Sequence, residues 1–185
     1  LRDGKAEDQR LMQALRQGDR TALAGLIRRF GPGLRRFAAG MLRNPEDAED
    51  LVQDVFLRVW RAAESYDPDR AAVSTWVYRI ATRLAIDRNR RTAFRRFLGL
   101  ESAPEPEDEA PGPEAVLAAR QALAATRARL DALPDRQRRA LLLRAVAGMA
   151  VPDIAATLGI SPGAVEQLLV RARAGLRADL GERRA

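Results

Sequence analysis

Residues 151–173 read VPDIAATLGISPGAVEQLLVRAR, and their spacing decides how the C-terminal part of the chain folds. Val151-Pro152-Asp153 opens a short helix in which Ile154, Ala155 and Leu158 point inward. Gly159 supplies a left-handed turn that a side chain would oppose, and Ile160 plugs the corner. Ser161-Pro162 caps and starts a second helix, with Val165, Leu168, Leu169 and Ala172 as its buried face. The small Ala155 lets the two helices approach closely. This is helix-turn-helix spacing, in which the opening residues of the second helix enter the major groove of DNA. Those residues are Ser161, Gly163, Ala164, Glu166 and Gln167, with Arg171 and Arg173 one to two turns further on. An ordinary helical hairpin is the blander alternative, but it has no need of this turn, cap and spacing together.

Working outward, a helix is expected from about Pro113 to Ala132, stopped and restarted by Leu133-Pro134-Asp135. Leu141, Leu142, Ala145 and Val146 then form an apolar face that ends at Gly148. Residues 101–114, ESAPEPEDEAPGPE, carry six acids, no base and four prolines, so no helix or core is expected there. The segment reads either as a solvated tether or as a DNA-mimicking acidic strand for a partner's basic channel.

Before it the pattern is again helical. Ala48, Leu51, Val52, Val55, Phe56 and Val59 fall on one α-helical face, after Asn44 as cap and Pro45 in the first turn. Glu46, Asp47, Glu49 and Asp50 suit its N-terminal dipole end. Val77, Ile80, Ala81 and Leu84 give a second face. Leu11 and Leu15, then Leu23, Leu26, Ile27 and Phe30, then Leu34, Phe37 and Met41 suggest shorter helices, broken at Gly18 and at Gly31-Pro32-Gly33. Nothing alternates with period two. The expected fold is all-α: two small helical domains, residues 8–98 and 115–182, joined by a flexible acidic linker at 99–114.

Composition narrows the chemistry. The 185 residues include neither cysteine nor histidine, which removes disulfides, thiolate metal sites and the commonest general base. With no Gly-rich phosphate loop or carboxylate constellation either, the expectation is no enzyme, no cofactor, no metal and no small-molecule substrate. No stretch is apolar enough to insert in a membrane, and LRDGKAEDQR at the start is no signal peptide, so a cytoplasmic protein is expected. The formal net charge is +7, and its placement says more than its size. Arg79 to Arg96 holds seven arginines against one acid, Asp87. Arg79, Arg83 and Arg90 fall on one stripe opposite the Val77/Leu84 face, which suits a phosphate track, with Arg91 beside it. The preceding SYDPDRAAVSTW, residues 65–76, holds Tyr66, Arg70, Ser74 and Trp76, and an aromatic-bearing loop beside a basic helix suits unpaired, stackable bases. A solvated face with core aromatics is the alternative.

Three runs together resemble the bacterial RNA polymerase sigma factors of the extracytoplasmic-function (ECF) class. NPEDAEDLVQDVFLRVW, residues 44–60, is similar to their core-polymerase-binding segment, and STWVYRIATRLAIDRNRR, residues 74–91, to the helix that reads the −10 promoter element. Residues 133–173 resemble their −35-reading domain. The resemblance implies that Asp47, Asp50, Gln53 and Asp54 grip the clamp helices of the polymerase β′ subunit. It implies −10 contacts from Tyr66, Arg70, Ser74, Trp76, Arg79, Arg83, Arg90 and Arg91, with the loop from Tyr66 to Ser74 holding a flipped base. It implies −35 contacts from Arg136, Arg138, Arg139, Ser161, Gly163, Ala164, Glu166, Gln167, Arg171 and Arg173. Implied partners are core polymerase through its β′ clamp and β flap, promoter DNA, and an anti-sigma factor. The recognition helix departs from the frequent Gly-Thr-Val-Lys-Ser-Arg-Leu, reading Gly163-Ala164-Val165-Glu166-Gln167-Leu168-Leu169, and Arg83 stands where many members have Asn. Two rival readings are a stand-alone helix-turn-helix regulator acting as a dimer, and an adaptor that binds an anti-sigma factor without directing transcription.

Overall fold

The computed structural model describes residues 2–99 and 124–182, and every regular element among them is a helix. The first lobe comprises α1 (Arg2–Arg16), α2 (Thr21–Met41), α3 (Pro45–Arg61), a 3-10 turn (Ala63–Ser65) and α4 (Val73–Phe97). The second comprises α5 (residues 124–132), α6 (Asp135–Ala145), α7 (Val151–Leu158) and α8 (Pro162–Glu182). The acidic linker and the first half of the helix expected from Pro113 lie outside the described residues.

Local signals explain most boundaries. Gly18, at φ 91°, separates α1 from α2, and the Asp19 carboxylate then accepts from the Thr21 hydroxyl (2.6 Å) and N–H (2.8 Å). Those bonds, the hydroxyl's first, hold the Asp19 carboxyl below its ordinary pKa. Asn44 accepts from the Glu46 N–H at 2.9 Å, the cap its sequence position predicts, and Pro45 begins α3. All six predicted α3 core residues are buried, as are Val77, Ala81 and Leu84 of α4, with Ile80 packed against them.

One expected break is absent. Helix α2 runs unbroken through Gly31-Pro32-Gly33. Pro32 removes the N–H that would bond the Arg28 carbonyl, yet both residues lie on the exposed side, where solvent is available to that acceptor. Gly33 serves packing instead. A Cβ on Gly33 would lie 2.3 Å from the Tyr78 hydroxyl oxygen, so this position admits α4 against α2 only without a side chain. Tyr78 also meets Phe37 edge-on, with ring centroids 5.7 Å apart, and burial raises its pKa to about 12. Two smaller differences follow from packing. Ile27 is exposed, and the buried face of α6 is Arg138, Ala140, Leu142 and Leu143, with Ala145 outside.

The two lobes share one continuous core. Leu142 of α6 sits against Gly40 of α2, and α7 packs on α4. Among the described residues no helix is long and apolar enough to cross a membrane.

Gly33→Ala is expected to destabilise the protein by about 1–3 kcal/mol, although alanine favours helix, because the methyl overpacks the Tyr78 site. Adding Tyr78→Phe removes the obstructing oxygen and should recover most of that loss in a denaturant titration. An unchanged midpoint for Gly33→Ala alone would show that α2 and α4 are not in close contact there.

Candidate nucleic-acid interface

The helix-turn-helix forms as its spacing predicts. Gly159 adopts the left-handed conformation (φ 67°, ψ 38°), and the Ser161 hydroxyl accepts from the Ala164 N–H at 3.2 Å. Ile154, Ala155, Val165, Leu169 and Ala172 are buried, and Leu158, Ile160 and Leu168 pack partly against them. That leaves Ser161, Gly163, Glu166, Gln167, Arg171 and Arg173 exposed at the start of α8 and along it, with Ala164 half-buried. Gly163, Glu166, Gln167, Val170 and Arg171 surround one shallow depression. Val170 was not among the expected contacts. It is 61% exposed, an apolar side chain amid polar ones, and its place outside the Val165/Leu168/Leu169/Ala172 face was the available clue.

The arginines of α6 divide. Arg136 is exposed, and with half-buried Arg139 it lines a cleft completed by Ile86, Thr157, Leu158, Ile160 and Leu168. Arg138 corrects its expected role. It is 6% exposed and donates to Asp131 (2.5 Å) and Asp135 (2.7 Å), so its guanidinium joins the end of α5 to α6 and is closed to DNA in this arrangement.

On α4, Arg83, Arg90 and Arg91 are exposed, and Arg90 lies 3.8 Å from Asp87. Arg79 is half-buried, its Nε enclosed without a hydrogen-bond partner. Ile86, three residues from Arg83 and four from Arg90, lies on the same stripe. The preceding loop differs from expectation. Tyr66 is 4% exposed, its hydroxyl donates to the Ala71 carbonyl at 2.9 Å, and its ring meets half-buried Trp76 edge-on at 5.4 Å. As packed, Tyr66 braces the loop and offers no face to a base. Arg70 remains exposed, 4.0 Å from Asp67, and Ser74 is half-buried.

The acidic face of α3 carries exposed Asp50 and Gln53 and half-buried Asp47 and Asp54. Asp54 also accepts from Arg88 of α4 at 2.6 Å, so it serves the fold as well as the surface. Leu57 (44% exposed) and Trp60 (42%) continue this face by one and two turns. Arg20 stacks over the Trp60 ring at 5.8 Å.

Comparison with known proteins agrees in both lobes. Residues 26–95 match the family model of Sigma-70 region 2, and residues 123–176 that of Sigma-70, region 4. The chain is 36% identical over 168 residues to the RNA polymerase sigma factor CnrH of Cupriavidus metallidurans, covering 87% of each protein. It is also 36% identical over 174 residues to the ECF RNA polymerase sigma factor SigM of Mycobacterium tuberculosis, covering 94% of this chain and 85% of that one. The solved structure of CnrH in complex with the cytosolic domain of CnrY is similar over 95% of this chain and 98% of that one, with a TM-score of 0.73 and 30% identity.

Arg138→Ala is expected to lower stability by roughly 1–3 kcal/mol, since it removes charge-assisted bonds to both Asp131 and Asp135. Arg136→Ala, at an exposed position, should stay within about 0.5 kcal/mol of wild type. Melting curves for the two variants distinguish a fold-holding arginine from a surface one. Equal curves would return Arg138 to the surface set.

Proposed function

The chain belongs to the ECF class of RNA polymerase sigma factors, and from that premise we propose that it brings core RNA polymerase to a set of promoters and assists their opening. The observation that carries this reading is the presence, in the family's order, of an acidic helix face, an arginine-bearing helix and an exposed recognition helix in one chain. The polymerase supplies the chemistry, and the sigma factor works beside it in the cytoplasm. Run-off transcription with purified core polymerase and promoter fragments tests the reading. Promoter binding that needs no polymerase would favour a stand-alone dimeric regulator. Core binding without transcripts would favour an adaptor.

In this proposal α3 docks on the β′ clamp through Asp47, Asp50, Gln53 and Asp54. Leu57 and Trp60 extend the same surface, since exposed apolar groups beside charges suit the centre of an interface. Arg70, Ser74, Trp76, Arg79, Arg83, Arg90 and Arg91 serve the −10 strand, and Tyr66 supports them from the core. The −35 duplex is read by α8 from Ser161 to Arg173, with Arg136 and Arg139 on phosphate and the β flap behind this domain. Glu166 and Gln167 bring no positive charge, so affinity rests on Arg171, Arg173 and the backbone donors at Ser161. Base choice then rests on Gln167, which suits adenine, on Glu166, which suits cytosine, and on Val170, which suits a thymine methyl. CnrH was solved with the cytosolic domain of CnrY, and structural resemblance to that complex supports an anti-sigma partner here.

Reversing Asp50 to arginine should weaken core-polymerase binding while leaving the melting curve within about 0.5 kcal/mol of wild type. Asp50 is the cleaner choice than Asp54, whose loss also strands Arg88. Full affinity in the variant would remove α3 from the interface.

The reading of α8 has a chemical test. Replacing thymine by deoxyuridine in a selected −35 site deletes only the methyl group. Wild-type holoenzyme should lose affinity at one such position and Val170→Ala should be indifferent to it, while Arg171→Ala weakens all sites alike. If both proteins respond equally to the missing methyl, Val170 faces away from the groove.

A further inference from the structure

We propose that the last two turns of α4 give its arginine stripe an aromatic end, where Phe94 and Phe97 stack on bases of a nucleic-acid strand whose phosphates the stripe holds. This deepens the sigma-factor reading above and rests on it for the identity of the strand.

The stripe does not stop at Arg90. From Arg79 the same face of α4 carries Arg83, Arg90, Phe94 and Phe97, at intervals of four, seven, four and three residues. Leu98 stands beside Phe94, one turn on. Phe94 is 62% exposed, Phe97 85% and Leu98 50%. From Arg90 to Gly99 every residue but half-buried Thr92 is exposed, so the end of the helix stands clear of the lobe. Gly99, at φ 67°, ends it, its N–H donating to the Arg96 carbonyl at 3.0 Å.

Ordinary reasons cover the arginines here but not the rings. Arg95 and Arg96 lie in the last turn, where cations oppose the helix dipole. Phenylalanine favours helix less than leucine does, and these two rings stand largely in solvent. Exposed apolar groups gathered in one place mark a surface that a partner covers. The charge beside them identifies the partner's chemistry. From Arg88 to Leu100 the sequence carries five arginines and no acid, which suits a polyanion that also presents flat apolar faces. Nucleic acid does so, since every unpaired base has a face on which an aromatic ring can stack. An anionic lipid surface fits less well. A helix lying in a membrane interface keeps its cations on the face away from its apolar residues, whereas Arg79, Arg83 and Arg90 are in line with the rings. At about 1.5 Å per residue, Phe97 extends the track roughly 9 Å past Arg91, space for two or three nucleotides at about 3.4 Å each. Phe97 and Leu98 also lie past residue 95, where the match to Sigma-70 region 2 ends.

The test uses holoenzyme on a promoter fragment that the wild type transcribes, with the nontemplate strand left unpaired across the −10 region. Phe94→Leu together with Phe97→Leu keeps apolar bulk and favours helix, but removes the rings. This pair should bind the fragment about fivefold or more weakly. Phe94→Trp with Phe97→Trp should retain the affinity, and neither pair should move the melting curve of the free chain. Abasic sites placed one at a time along the unpaired strand should weaken wild type at one or two positions, where the leucine pair is indifferent. That split separates stacking from support of the fold, which would lower affinity for every fragment alike. p-Benzoylphenylalanine placed at residue 97 should cross-link to DNA. Coincident abasic profiles, or cross-linking to a polymerase subunit in place of DNA, would overturn the proposal. Equal DNA affinities for the leucine pair and wild type, alongside binding to phosphatidylglycerol vesicles, would give the patch to a lipid surface instead. A wild-type holoenzyme that makes no transcript from any promoter sinks the sigma-factor reading and this proposal with it. Transcription with an undiminished leucine pair sinks this proposal alone.

Discussion

The end of α2 leaves backbone carbonyls that no turn of the same helix can satisfy. They draw in much of the rest of the molecule. Asn89 of α4 donates to the Met41 carbonyl at 3.1 Å, and Arg127 of α5 reaches those of Leu42 and Arg43. The chain then turns sharply to the Asn44 cap and descends as α3. One helix terminus thus fixes where α4 lies beside it, where α3 begins and where the second lobe sits. Buried carbonyls are costly to leave unpaired, and the two lobes supply the missing donors between them.

The close contacts around this point explain two of the glycines of α2. Gly33 admits the Tyr78 hydroxyl and Gly40 admits Leu142, so the same helix receives α4 on one turn and α6 on another. A helix rich in glycine loses intrinsic stability, about 1 kcal/mol for each relative to alanine. Burial of Leu26, Leu34, Phe37 and Met41 along the same helix compensates for that loss.

Arginine carries two kinds of work here, and its abundance alone does not separate them. Arg29 pairs with Asp8, Arg88 with Asp54, Arg127 with helix carbonyls and Arg138 with two aspartates, each joining elements of the fold. Arg83, Arg171 and Arg173 are exposed, and the proposed function has them meet phosphate. The planar fork of the guanidinium suits both tasks, because it matches carboxylate, carbonyl and phosphate oxygens alike.

The helices, their caps and the helix-turn-helix were legible from the residues alone. Each depends on neighbours no more than about four positions away: the 44–46 cap, the Gly159 turn, the Ser161 cap and the stripe from Ala48 to Val59. The acidic face of α3 and the exposed half of α8 follow from the same period. Burial of Tyr66 and Arg138 was not legible, because an aromatic loop and a basic helix read alike whether their side chains face solvent or core. Nor was the passage of α2 through Pro32, where a strong local breaker is outweighed by packing against α4. The partners that settle these cases lie far off in the chain, as with Arg88 and Asp54 or Arg127 and Leu42. Periodicity and capping are short-range and can be read residue by residue. Which face of a helix is covered, and which arginine is spent inside, is decided only when distant helices pack and their unpaired polar groups must find each other.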